Sequence, residues 1–257
     1  MNMGVIPVTD LASRIAGLLN MEDLISTLEA LRISAEFPEP GTGPADLIAG
    51  SLFDIGFRLE RFERNQDAIA VYQRVVRYPV VDSQIRAGAW FRIALLSDHF
   101  GNWLAASSGY RQALDLAPAW THMATLAQYN LAALVAAEEN HAEACALYQA
   151  VETAPVHPDI PLAKVLLELG RCLLRSGEFA SARNKLEQFL TTFPDAPATV
   201  EANRLLAEIH EYSGESEAAV ERYRRIVASC QADPLLKAAA AHRAAVLGRH
   251  LKSGARA

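Results

Sequence analysis

Seven histidines and three cysteines are the side chains of this 257-residue sequence best suited to holding a metal or attacking a substrate. A helical zinc pair needs two ligands about four residues apart, with a glutamate beside them to activate water. His99, His122, His141, His157, His210, His242 and His250 include no such pair. They read as surface or capping residues, and no metal is expected. Cys145, Cys172 and Cys230 are too far apart for a redox or metal pair and read as small hydrophobes in a reducing compartment. Gly41-Thr42-Gly43 runs into Pro44 without the lysine of a phosphate loop, so it is a turn. No nucleophile elbow or HExxH helix occurs. No convergent acid, base and nucleophile can be named, so neither catalysis nor a cofactor is expected.

Charge and hydropathy narrow the partners. With 24 basic and 30 acidic residues the net charge is −6, which argues against phosphate-backbone binding. Met1 to Asn20 has no basic leader, and no apolar run approaches about 18 residues, so neither a secretory signal nor a membrane span is expected. A cytoplasmic protein with no membrane insertion follows as the expectation. The 51% hydrophobic content excludes a disordered chain.

The elements that must position any site are periodic. Ala68, Ala106, Ala144, Ala182 and Ala219 are 38, 38, 38 and 37 residues apart. Twelve residues before each stands a small residue: Gly56, Ala94, Ala132, Gly170 and Ala207. Four residues after each stands a large one: Tyr72, Tyr110, Tyr148, Leu186 and Tyr223. Pro79, Pro118, Pro155, Pro194 and Pro234 then close the units. Leu52, Ile55, Gly56 and Leu59 form one helical stripe, and Ala68, Tyr72 and Val75 form another, so each unit is predicted to be a helical hairpin. Gly101-Asn102, Ser176-Gly177 and Ser213-Gly214 mark turns.

These residues resemble the tetratricopeptide repeat. The fourth unit is nearest, with Leu166, Leu169, Gly170, Leu173, Gly177, Ala182, Leu186, Phe189 and Pro194; Trp90 supplies the tryptophan in the second. The resemblance runs from Ala49 to Pro234 and implies an all-α fold, a right-handed α-solenoid of five hairpins over 49–86, 87–124, 125–162, 163–199 and 200–234. The family's usual unit is about 34 residues. Here the surplus lies after each proline, so the first helices are predicted to start about one turn early, with Asp82, Ser83 and Thr121 as candidate caps. The long unit and Phe193-Pro194-Asp195-Ala196-Pro197 are similar to bacterial envelope-assembly members of the family.

Both ends need capping. Residues 1–36 form an N-terminal helical segment with amphipathic stretches at Thr9–Asn20 and Met21–Ser34, and 37–48 is a Pro/Gly-rich linker. Leu236, Ala240, Ala244, Leu247 and Leu251 mark a C-terminal capping helix within 235–257. Residues 1–48 hold seven acids and two bases, whereas 235–257 hold five bases and no acid. The basic end suits either the exposed carbonyls of a helix C-terminus or a head-to-tail homo-oligomer, and both readings stay open. With only Arg14 and Arg32 as bases, the N-terminal helices are not expected to bind nucleic acid.

In the family the first helices line a groove, at the fifth, sixth and ninth positions of each unit. The resemblance carries this onto Phe53 and Phe57, then Phe91, Arg92 and Leu95, then Tyr129 and Asn130. Arg171 and Arg204 follow, with Lys164 and Arg175 nearby. A specialised clamp for peptide carboxylates is not implied, because its five positions read Phe91, Leu95, Asn130, Lys164 and Glu168. The aromatics either anchor a protein or peptide partner or form ordinary core. The expected function is a non-catalytic interaction scaffold, steered toward acidic groups by Arg171, Arg175 and Arg204. The alternative is an accessory subunit of an enzyme or envelope-biosynthesis complex.

Overall fold

The computed structural model describes residues 45–77, 82–117, 121–155 and 159–254. The N-terminal segment, residues 37–44 of the linker, Pro79 and Pro118 lie outside these residues, whereas residues 45–48, expected as linker, are already helical. The described residues form helices and no strand. They are α1 (Ala45–Arg61), α2 (Asn65–Val75), α3 (Ser83–His99), α4 (Trp103–Leu116), α5 (His122–Ala137), α6 (His141–Thr153), α7 (Leu162–Arg175), α8 (Phe179–Thr192), α9 (Thr199–Tyr212), α10 (Ser216–Ala228) and α11 (Pro234–Gly254). This is the all-α hairpin-repeat fold of the α-solenoid class. Two compact units divide the chain, Met1–Ala127 and Gln128–Ala257.

Local chemistry sets the helix ends. The side chains of Asp82, Asn102 and Asn140 accept the backbone N–H of Gln84, Ala105 and Glu143, at 2.8, 3.3 and 3.4 Å. Thr121 Oγ1 accepts from Ala124 at 3.2 Å. Each satisfies an amide that the helix leaves without a partner. The hairpin turns share one geometry. Glu63, Gly101, Glu139, Gly177 and Gly214 all have left-handed backbone, with φ between 61° and 81°. The next N–H returns to the first helix in every case: Arg64 to Leu59, Asn102 to Ser97, Asn140 to Val135, Glu178 to Leu173 and Glu215 to His210. Together with the bond from each left-handed residue, this is a Schellman C-cap.

The core follows the period. All five anchor alanines, from Ala68 to Ala219, are fully buried, as are Tyr72, Tyr110 and Leu186. The small residue on the first helix lets the second approach. A Cβ on Gly56 would lie 2.6 Å from the Tyr72 ring, and one on Gly170 2.7 Å from Leu186.

Two expectations change. α1, α3 and α5 begin four, four and three residues before Ala49, Ala87 and Thr125, but α7 and α9 begin only one residue before Ala163 and Val200. Pro161 and Pro197 explain the difference, since a proline disfavours helix in the residue before it. Pro234 does not close the fifth hairpin. It is the first residue of α11, where its missing N–H costs no hydrogen bond, and α10 has already ended at Ala228.

Candidate functional site

In the first unit the fifth-position aromatics pack onto the tyrosine of their own hairpin. Phe53 lies 5.3 Å from Tyr72 and Phe91 6.0 Å from Tyr110, with the rings tilted by 57° and 56°. Phe91 is only 8% exposed, so it belongs to the core and supports the surface from beneath. Phe53 and Leu95 are half-buried. Phe57, one turn further along α1, is 46% exposed, and the Arg92 guanidinium lies over its ring at 5.4 Å.

Arg92 is fixed in turn. Its Nε donates to Glu60 Oε1 at 2.8 Å, its Nη2 bonds Glu60 Oε2, and the Tyr72 hydroxyl donates to Glu60 Oε1 at 2.7 Å. Burial works against the Arg92 charge, yet the hydrogen bond and charge of Glu60 outweigh it and raise its pKa. Burial, reinforced by Glu60, pushes the Tyr72 hydroxyl far above its ordinary value, so it stays a neutral donor.

The second unit repeats the aromatic contact and then becomes ionic. Tyr129 meets Tyr148 at 6.2 Å, nearly edge-on, and Lys164 Nζ lies 5.6 Å from the Tyr129 ring centre. Hydrogen bonding to Tyr129 is the leading reason the Lys164 pKa is raised. Asn130 is half-buried on the same helix. Arg171 bonds Glu168 and Glu201, Arg204 bonds Glu201 and Glu208, and Arg175 bonds Glu208, all between 2.7 and 3.4 Å. Arg171, Arg175 and Arg204, expected to steer acidic groups, are thus already engaged within the chain. Each already shares a glutamate of α7 or α9, so the cluster is charge-compensated.

A cleft of about 460 Å³ in this unit is lined by Arg204, Glu208, Glu211, Tyr212, Tyr223 and Arg243. Tyr223 donates to Glu211 at 2.7 Å, and Arg243 of α11 pairs with the same carboxylate. Glu60, Glu211 and Arg243 went unnoticed in the sequence. Their signal is a second spacing, a glutamate followed by Tyr at 12 and Arg at 32 residues, which occurs at Glu60 and again at Glu211. Also unnoticed were Phe100, Trp103 and Leu104, exposed apolar residues where α3 turns into α4.

Among the described residues no helix is long and apolar enough to cross a membrane. No group of three metal-ligating side chains occurs among them either.

Several solved structures are similar in fold. A solved structure of YrrB, described as a TPR protein with an unusual peptide-binding site, has 17% identity and a TM-score of 0.62, covering 78% of this chain and 94% of that one. MamA from Desulfovibrio magneticus RS-1 has 15% identity and a TM-score of 0.53, covering 69% and 92%. BtubC from P. vanneervenii has 16% identity and a TM-score of 0.51, covering 84% and 89%. These likenesses concern the fold. No curated protein sequence matches. The family model described as Tetratricopeptide repeat matches residues 167–234, which run from within α7 to the first residue of α11. Residues 167–234 thus match the tetratricopeptide repeat, and the same hairpin recurs in both units, so the chain has the helical-hairpin fold of those structures.

Proposed function

We propose that this protein is a non-catalytic scaffold that captures a peptide or protein segment on its first-helix faces. The observation that carries the reading is the Phe57–Arg92–Glu60 arrangement. An aromatic ring nearly half exposed is held by a guanidinium that is itself locked by a carboxylate. A rigid aromatic of this kind loses little side-chain entropy when a partner covers it, which is what a binding anchor requires. Lys164 over Tyr129 offers a second aromatic–cation contact, in the second unit. The peptide-binding site in the description of YrrB supports the class of ligand. Three free cysteines suit a cytoplasmic setting.

The test is capture from extract of the source cell by the immobilised full chain. Phe57→Ala with Arg92→Ala should lose the partner while the melting profile stays cooperative. Retained capture would refute the reading. Trp103→Ala with Leu104→Ala is the contrasting variant, and loss of capture there alone would move the binding surface to the α3–α4 turn.

A further inference from the structure

Helix α11 sits in the register of the first helix of a sixth repeat. Tyr72 and Arg92 meet on Glu60, and Tyr223 and Arg243 meet on Glu211. Each member of the second set lies 151 positions after its counterpart. Arg92 belongs to the first helix α3, so Arg243 places α11 in the same register. Ala238, Ala241, Ala245 and Gly248 then correspond to Ala49, Leu52, Gly56 and Leu59 of α1.

On α1 those four residues are covered. Ala49, Leu52 and Leu59 are buried, and Gly56 is pressed against Tyr72 of the second helix α2. On α11 Ala238, Ala241 and Ala245 are exposed. Among the described residues nothing lies within 4 Å of a Cβ built on Gly248. The opposite face is docked, with Ala240 and Leu236 packed in one cluster with Ile226 of α10. Among the described residues α11 therefore has the partner of a preceding hairpin and lacks the second helix of its own.

We propose that this face receives residues Met21–Ser34 of a second copy of the chain as that missing helix. Leu24, Leu28 and Leu31 recur at steps of four and three, giving large side chains to set against alanine and glycine. Glu22, Asp23 and Glu29 ride on the same segment. The α11 end, 235–257, carries five bases and no acid, against a net −5 in residues 1–48. Opposite ends attract and like ends repel, so the contact runs head to tail rather than about a two-fold axis. Such a contact propagates along a row of copies unless the rotation closes it into a ring.

The full chain is tested by sedimentation equilibrium over roughly a hundredfold range of concentration around micromolar Kd. The mass should climb with concentration and fall back in high salt. A241E with A245E should weaken association by roughly tenfold or more, as a buried interface charge does, and E22K/D23K/E29K should do the same. At concentrations where neither variant alone assembles, their mixture should give a dimer and nothing larger, since one intact segment and one intact face remain. That mixing result also separates a blocked surface from a failure to fold. F57A/R92A should associate like the parent chain, so capture on the first-helix face and self-association fail independently. A monomer at every concentration, undiminished association of A241E/A245E, or a mixture that stays monomeric would overturn the proposal. So would protection of residues 21–34 from protease that does not depend on concentration, which would place the segment on its own chain.

Discussion

The guanidinium of Arg92, on α3, lies 5.4 Å from the centre of the Phe57 ring on α1, in the preceding hairpin. Glu60 holds it there and also accepts the Tyr72 hydroxyl. Arg92→Ala removes both the cation over the ring and the partner of a carboxylate that is itself only 12% exposed. A cost of about 1–3 kcal/mol is expected in urea unfolding. Arg92→Lys should recover only part of it, because an ammonium cannot make the two-pronged contact. Phe57→Ala alone should cost well under the Arg92→Ala change, since much of that ring already faces solvent.

The five turns predict stability changes of opposite sign at equivalent places. Glu63 and Glu139 hold φ of 61° and 63°, where their Cβ atoms are strained, while Gly101, Gly177 and Gly214 occupy the matching turns. Glu63→Gly and Glu139→Gly should each stabilise by about 0.5–1 kcal/mol. Gly177→Ala should destabilise by about 1–2 kcal/mol. Nothing stands within 4 Å of a Cβ at Gly177, so backbone conformation alone would account for the loss. Denaturant midpoints of the single variants check both signs.

Acid should weaken the second unit through Glu201 and Glu211. The Arg204 hydrogen bond is the main reason the Glu201 pKa is lowered, and the Arg243 hydrogen bond the main reason at Glu211. A carboxyl whose folded pKa lies below its unfolded value binds more protons when unfolded, so stability rises with pH through that window. Their contribution is present above the ordinary carboxylate range and lost as pH falls through the folded values. Melting temperatures should decline on acidification below the unfolded carboxylate pKa, and Glu201→Gln with Glu211→Gln should flatten the decline. A decline as steep as the parent's would contradict this.

The thiols should divide one against two. Cys230 is exposed, whereas Cys145 and Cys172 are buried. Burial pushes the Cys172 thiol up to about 12 and raises Cys145 as well, which leaves little thiolate in either. A colorimetric thiol reagent at neutral pH should modify one cysteine of the folded chain rapidly and the other two only on denaturation.

The repeat itself was determined by the sequence, because periodicity is a local property. The spacing of Ala68, Ala106, Ala144, Ala182 and Ala219 sets the helix faces, and all five anchors are buried as that spacing requires. The caps at Asp82 and Thr121 were legible for the same reason, each acting within three residues of itself. The turns at Glu63 and Glu139 were not, since glutamate does not signal a left-handed backbone; only their equivalence to Gly101 and Gly177 reveals it. The candidate site was legible as positions and not as chemistry. Whether Phe91 is buried while Phe57 is open, and whether Arg171, Arg175 and Arg204 are free or shared, depends on side chains about 30 residues apart in sequence meeting across neighbouring helices. Tertiary structure alone decided that. A charge acquires its partner from packing, and the pattern of residue types along one helix carries no record of what faces it from the next.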